Sequence, residues 1–362
     1  MSLGTIIVDC DIPFLEGVLE PWFDVRYLAG RDIGPADVRD AVALVVRTRT
    51  RCNAALLEGS SVRLVATATI GTDHIDMDYC ASRGIAVASA PGCNAAAVAQ
   101  YVSTALHALS LDRPGFTLGV IGVGHVGTLV AEAGRRAGLR VLLNDPPREA
   151  AEGNRRHARL DRASVRSVFT PLPALLATSD IVTLHIPLWP ENRDFADAAF
   201  FAAMKPGATF INASRGEVVD EDALLAARPR LCHLVLDVWK NEPAINRALL
   251  AASDIATPHI AGYSIQGKIN GTQAVVRALG EAFGIAPLRY FTIPISVPGS
   301  SVPGSLVPDV TNSEVAVSCI PIPGVPLPQT PYDIWQDDSA LRRDPSSFES
   351  LRRHYSFRND QL

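Results

Sequence analysis

"GVIGVGHVG", residues 119–127, leads out of an apolar stretch that begins at Thr117 and into a helical one, and its reading decides the fold. It holds Gly122-x-Gly124-x-x-Gly127. Glycines at this spacing permit a tight strand-to-helix turn and let the backbone approach a pyrophosphate, whose charge sits at the positive end of the helix. Taken alone the triplet is a weak signal. Its context strengthens it, because the next strand segment, "RVLLND" at 140–145, ends in Asp145. A carboxylate there can accept from both ribose hydroxyls of NAD and repels a 2′-phosphate, so the cofactor expected is NAD. Arg148 partly offsets that repulsion, and Asp145 equally suits a plain turn ahead of Pro146 and Pro147.

Working outward, "TIIVD" (5–9), "ALVVR" (43–47), "RLVAT" (63–67) and "GIAVASA" (84–90) precede the loop, and "DIVTLHI" (180–186), "TFINAS" (209–214) and "HLVLDV" (233–238) follow it. Runs apolar on both faces, separated by Ala/Leu/Arg-rich helical stretches, indicate parallel sheets covered by helices. The expected fold class is α/β, with two Rossmann-like doubly wound parallel-sheet domains. Residues 1–93 form a substrate or lid domain completed by about 264–286, and residues 94–263 form the NAD-binding Rossmann domain. From 287 the texture changes: ten of the 26 prolines fall between Pro287 and Pro331, and "SVPGSSVPGSLVP" (296–308) excludes a regular helix or central strand. Beyond this arm, "YDIWQDDSALRRDPSSFESLRRHYSFRND" regains a helical pattern, so 287–362 reads as a third, associating module.

Composition narrows the function. With 48% hydrophobic and 20% charged residues, a net charge of -5 and a pI near 5.9, the chain reads as globular, and a small anion suits it better than nucleic acid or an anionic membrane. The apolar stretch "NAAAVAQYVSTALHALSL" (94–111) is interrupted by Gln100, Ser103, Thr104 and His107, which suits a buried helix rather than a membrane span. The N-terminus lacks the basic start of a signal peptide. Six scattered cysteines without a C-x-x-C pair fit reduced thiols and a cytoplasmic location. No cluster has metal-ligand spacing, so no metal is expected.

Three stretches at or just past strand ends hold the candidate chemistry: "NASRGEVVD" with Arg215, "LDVWKNEP" with Asp237 and Glu242, and "TPHIAG" with His259. Each has an ordinary alternative: a surface charge, a helix-start carboxylate, a buried imidazole. Together with Gly122, Gly124 and Gly127, their order and spacing resemble the D-isomer-specific 2-hydroxyacid dehydrogenases over roughly residues 40–275. The resemblance implies that Arg215, Glu242 and His259 are catalytic. Arg215 would hold the substrate carboxylate, and His259 would exchange the C2 hydroxyl proton while Glu242 orients it and stabilises its charged form. Asp237 would lie beside the nicotinamide amide.

Further stretches, "VVRT" (45–48), "ATATIGTDHID" (66–76), "APGCNAAAVAQYV" (90–102), "NDPPR" (144–148) and "HIAGYSIQGKINGT" (259–272), resemble one branch of that family. That branch takes a small phosphorylated 2-hydroxy acid, 4-phospho-D-erythronate. The resemblance carries Arg47, Thr48, Thr69 and Tyr263 over as substrate contacts, and His125, Val126, Ile186, Ala213 and Gly262 as cofactor contacts. His74 and His185 read as structural histidines. The branch ends in an α+β dimerisation module, so a homodimer is expected, with Arg352 and Arg353 of a partner subunit as candidates beside the substrate phosphate. The rival functions are another D-2-hydroxyacid dehydrogenase, such as one acting on 3-phosphoglycerate, and a non-catalytic NAD-sensing protein on the same fold.

Overall fold

The computed structural model describes residues 2–157, 168–296, 325–326 and 331–360. The chain divides into two compact units, Met1–Asn94 with Ser264–Thr330, and Ala95–Tyr263 with Pro331–Leu362. No described helix is long and apolar enough to cross a membrane.

The first unit is built on five parallel strands, β1 (Thr5–Asp9), β2 (Asp24–Leu28), β3 (Ala41–Val46), β4 (Leu64–Thr67) and β5 (Ala86–Ala88), in the order β2-β1-β3-β4-β5. Side chains alternate between faces, so Ile6, Val8, Ala43 and Val45 pack under helix Ile265–Ala282, while Ile7, Leu44 and Val46 meet Cys52, Leu56 and Val65 on the other side. That double coverage explains the continuous apolar runs. Strand β2 lacks such a run: "DVRYL" is an edge strand with Asp24 and Arg26 open to solvent, so its sequence carries no buried-strand signature.

The second unit holds six parallel strands, β6 (Thr117–Ile121), β7 (Arg140–Asn144), β8 (Ile181–Leu184), β9 (Thr209–Asn212), β10 (Leu234–Leu236) and β11 (Ile255–Ala256), in the order β11-β10-β9-β8-β6-β7. The chain starts at β6, adds β7 on one side and then grows outward on the other from β8. The crevice where that direction reverses is where doubly wound sheets bind ligands. Helix Ala95–Ala108 buries Ala97, Ala99, Tyr101, Val102 and Ala105, and packs with Leu118 and Val120 of β6.

Of the described residues after 286, those up to Pro326 group with the first unit and those from 331 to 360 with the second. The V-P-G-S repeat lies outside the described residues beyond Ser296; Ile295–Ser296 pairs in parallel with Val325–Pro326, and the described residues from 331 to 360 are mainly helical. The apolar face of this last segment sets its place. Ile334, Leu341 and Phe348, each no more than 1% exposed, complete cores of the nucleotide unit. The segment also closes a sheet edge: the Ala256 N–H of β11 donates to Asp338 Oδ1 at 2.8 Å, and Arg342 grips Asp338 together with the carbonyls of Leu250 and Ser253.

Candidate active site

At the glycine loop, β6 ends at Ile121 and helix His125–Arg136 begins behind Gly124 as N-cap. Gly122 has φ +84°, and a Cβ on it would lie 2.5 Å from the His185 carbonyl oxygen. A Cβ on Gly127 would lie 1.9 Å from the Gly122 carbonyl oxygen, whereas one on Gly124 would meet nothing within 4 Å. Two of the glycines are thus required by the fold, and the third leaves open space at a helix N-terminus, which suits a pyrophosphate. His125 is exposed beside it and Val126 half-buried; Ile186 and Ala213, just past β8 and β9, are half-buried.

Asp145 braces this loop, accepting from the Val123 N–H at 2.8 Å and the Arg148 N–H at 2.9 Å. The Arg148 guanidinium donates to the Val123 carbonyl and to Thr128 Oγ1. It is therefore part of the loop's scaffold. His185 hydrogen-bonds Thr183 Oγ1 at 3.0 Å, and burial pushes its imidazole down to about 3, so it is neutral and structural.

At the other end of the sheet, the segment after β11 carries His259. Its Nδ1 lies 2.7 Å from Glu242 Oε2, and Glu242 Oε1 accepts the Trp239 N–H at 3.0 Å. A carboxylate only accepts, so the imidazole proton sits on Nδ1 and Nε2 presents its lone pair outward. Burial works to raise the Glu242 carboxyl, but the facing His259, their hydrogen bond and Arg352 outweigh it and hold the group below the ordinary glutamate range. His259 itself has φ 58°, a left-handed conformation that a non-glycine residue adopts only when its surroundings impose it.

Asp237 supplies that imposition. It is 1% exposed and accepts from Thr257 Oγ1 at 2.6 Å, the Ile260 N–H at 2.8 Å and the Ala261 N–H at 2.9 Å, while its own carbonyl accepts the His259 N–H at 2.7 Å. Thr257 in turn meets the Tyr101 hydroxyl at 2.8 Å and accepts the Trp239 indole N–H on its carbonyl at 3.0 Å. Burial pushes the Asp237 carboxyl up, and His259 and these donors oppose that. The Asp237 side chain thus tethers the His259 loop, while its own N–H donates to the Asn212 carbonyl at 3.0 Å.

Arg215 follows β9 by three residues. Its backbone carbonyl accepts from Asn212 Nδ2 at 2.9 Å, and one guanidinium nitrogen donates to the Ser214 carbonyl at 2.8 Å. Gly216 after it is obligatory, since a Cβ would lie 2.0 Å from the Trp239 carbonyl carbon; this close approach draws "SRG" to "DVW". Gly262 and Tyr263 complete the His259 loop, and the Tyr263 ring stacks edge-on against Tyr355 at 5.9 Å.

In the first unit, β3 ends at Val46 and Arg47 opens the following loop. Arg47 lies 3.2 Å from Asp9 Oδ2 and 2.6 Å from Asp11 Oδ2, so its fork of donors is already engaged by two carboxylates. Thr48 is exposed beside it. Thr69 shares a 2.7 Å hydrogen bond with Thr67 and donates to the Gly71 carbonyl at 3.1 Å.

The sequence assigns no role to Tyr101, Trp239, Thr257 and Arg358, which hold the His259 loop from afar, and a different one to Arg352. Arg358, 6% exposed, donates to the carbonyls of Ala97, Ile260, Ala261 and Tyr263 and to Gln100 Oε1. No local pattern marks these positions. Arg352 also lies inside its own chain's nucleotide unit, 3.6 Å from Glu242 Oε2, which corrects its placement as a partner subunit's phosphate ligand.

Residues 94–261 match the NAD-binding domain of the D-isomer specific 2-hydroxyacid dehydrogenases. The chain is 40% identical over 367 residues to an erythronate-4-phosphate dehydrogenase of Bacteroides fragilis, covering 98% of this chain and 97% of that one. It is 46% identical over 291 residues to an erythronate-4-phosphate dehydrogenase of Chromohalobacter salexigens, covering 77% and 73%. Among solved structures, D-lactate dehydrogenase of Aquifex aeolicus with NAD and lactic acid aligns with a TM-score of 0.62 at 25% identity, covering 77% of this chain and 96% of that one. A 3-phosphoglycerate dehydrogenase of Entamoeba histolytica shares the fold, with a TM-score of 0.62 at 21% identity over 80% and 98%.

Proposed function

The chain belongs to the D-isomer-specific 2-hydroxyacid dehydrogenases, and from that premise we propose that it oxidises 4-phospho-D-erythronate to (R)-3-hydroxy-2-oxo-4-phosphooxybutanoate, a step of pyridoxal 5′-phosphate biosynthesis. The observation that carries the reading is the His259–Glu242 pair at 2.7 Å in a chain similar over nearly its whole length to erythronate-4-phosphate dehydrogenases.

NAD, held at Gly122, Gly124 and Gly127, supplies the acceptor for the hydride that leaves C2. His259 Nε2 takes the C2 hydroxyl proton in the same reaction, so the C2–O bond becomes a carbonyl, and the reverse direction returns the proton. Glu242 fixes the tautomer that leaves Nε2 free and stabilises the imidazolium that forms. Arg215 binds the substrate carboxylate and polarises the C2 oxygen. Tyr263, Thr48 and Thr69 contact the substrate. Of the Arg47–Thr48 pair the reading leans on Thr48, since Arg47 is committed to Asp9 and Asp11. His125, Val126, Ile186, Ala213, Asp237 and Gly262 would line the cofactor, and Asp145 would accept from its ribose.

The proposal extends to a cytoplasmic homodimer. Its support is the scattered cysteine pattern and Trp335, which is 44% exposed on the helix Ile334–Arg343; sedimentation of the purified protein tests the assembly. The substrate is tested by an NAD-linked assay of 4-phospho-D-erythronate, 3-phospho-D-glycerate and D-lactate. The first should give the highest kcat/KM by at least about two orders of magnitude, the scale that an anchored phosphate and extra hydroxyl supply. Equal or greater turnover of either competitor would remove the assignment.

A further inference from the structure

The mechanism uses Arg215, Glu242 and His259, yet a second cation stands behind the same carboxylate. Arg352, on helix Phe348–Arg353, has a side chain only 10% exposed. One terminal nitrogen lies 3.6 Å from Glu242 Oε2, the oxygen that also meets His259 Nδ1, and 3.8 Å from Glu349 Oε1. Among the described residues its Nε has no hydrogen-bond partner. Burying a guanidinium is costly unless its charge is balanced, and here the balance comes from a carboxylate belonging to the catalytic pair.

We infer that Arg352 is a positioning residue of the dehydrogenase reaction, setting the charge balance of the Glu242–His259 pair and thereby the pH at which His259 is ready to accept the substrate proton. Among the described residues, the charged groups facing the pair come from the strand side and from the C-terminal helix. Asp237 lies on the strand side and acts on His259, Arg352 lies on the C-terminal helix, and Tyr263 and Glu349 surround Arg352. Burial disfavours the Arg352 charge, but Tyr263, Glu242 and Glu349 outweigh it, so the guanidinium stays protonated. With Arg352 present, Glu242 divides its charge between a fixed cation and the imidazole. Without it, the whole carboxylate charge faces His259, which then holds its proton to higher pH.

The same segment fixes the other side of the loop, where Arg358 donates to the carbonyls of Ile260, Ala261 and Tyr263. A stretch distant in sequence from the glycine motif thus reaches the proton-transfer pair electrostatically through Arg352 and mechanically through Arg358.

The inference rests on the acid/base reading of His259, and the experiment separates the two. The intact enzyme is compared with Arg352→Met and Arg352→Lys, and with Arg343→Met as a control for loss of one positive charge in the same C-terminal segment. Two readouts are taken: the pH profile of kcat/KM for oxidation of 4-phospho-D-erythronate, and the ring titration of His259 followed by NMR, assigned with His259→Gln. In Arg352→Met the acid limb of kcat/KM and the ring titration should both move up by about 0.5–1 pH unit, with NADH affinity within twofold of the parent. Arg352→Lys should restore both to within about 0.2 unit, and Arg343→Met should leave both in place. Should Arg352→Met fail to fold, Arg352→Gln, which keeps donors without charge, replaces it. A ring titration unchanged in the neutral variant, or equally displaced by Arg343→Met, would overturn the inference. Since that titration needs no substrate, it decides the role of Arg352 even if the parent enzyme proves inactive on 4-phospho-D-erythronate, a result that would overturn the substrate reading instead.

Discussion

The nucleotide unit holds its two functional loops in opposite ways. The glycine loop is held by local backbone geometry: a φ of +84° at Gly122, a helix closed against the Gly122 carbonyl at Gly127, and one short brace from Asp145. The His259 loop is held by side chains gathered from across the unit, with Asp237 on two of its amides, Tyr101 behind Thr257, and Arg358 on its carbonyls. A nucleotide phosphate needs open amides at a helix end, which a few glycines provide. A proton-transfer base needs one ring nitrogen aimed and the other occupied, and at a φ of 58° no local sequence provides that.

The contrast can be broken at its strongest point. His259→Asn keeps a polar side chain with a nitrogen near the Nδ1 position and removes the base, and general acid–base catalysis is worth about 10²–10⁴ in rate. Turnover should fall by about 10³-fold with NADH affinity within twofold, as fluorescence titration reads it; retained kcat would end the role of His259.

The glycines should separate fold from ligand approach. Gly127→Ala forces a Cβ to 1.9 Å from a carbonyl oxygen, so both the melting temperature and NADH affinity should drop, the affinity by about 100-fold or 2.7 kcal/mol. Gly124→Ala meets no protein atom within 4 Å, so it should leave melting unchanged and weaken NADH by about tenfold. A Gly124→Ala variant that binds NADH normally would place the pyrophosphate elsewhere.

Asp237→Asn removes an acceptor from one of three buried donors, at a cost of about 1–3 kcal/mol. Calorimetry should show melting lowered by several degrees, alongside reduced kcat, because the His259 loop loses its tether. An unchanged melting temperature would mean that the loop is held without this carboxylate.

The smallest effect concerns pH. His185, pushed down to about 3 by burial, is neutral in the folded protein, whereas an ordinary histidine titrates near 6.5. A depressed folded value contributes stability above about pH 6.5 and loses it as pH falls from there towards 3. Denaturant unfolding of His185→Gln should therefore lose less stability than the parent between pH 7 and pH 4, by roughly 1–2 kcal/mol. Parallel curves would show that His185 does not contribute to acid lability.

How far the chain could be read follows the same division. The glycine loop, nine strands of the two sheets and the stretches bearing Arg215, Glu242 and His259 were legible because each is set by neighbours in sequence. Strand β2 was missed because its exposed edge has no apolar run, and β11 because Ile255–Ala256 is too short to leave a pattern. The segment from 331 onward showed an amphipathic face, but nothing in its sequence says that the face completes the nucleotide unit's own core. Arg47 offered a cation at a strand end and turned out to be spent on Asp9 and Asp11, because two carboxylates distant in sequence meet it there. Arg352 and Arg358 carry no local signal for their hold on the His259 loop: the partners they meet there, Glu242 and Ile260, lie more than 90 residues away in the chain.

That hydride leaves C2 of the substrate for the nicotinamide is tested most directly with 4-phospho-D-erythronate deuterated at C2. Proton NMR of the nicotinamide produced by the parent enzyme should show the deuterium at the nicotinamide C4 position in stoichiometric amount. Unlabelled NADH, with the deuterium released to water, or no NADH at all, would contradict the account.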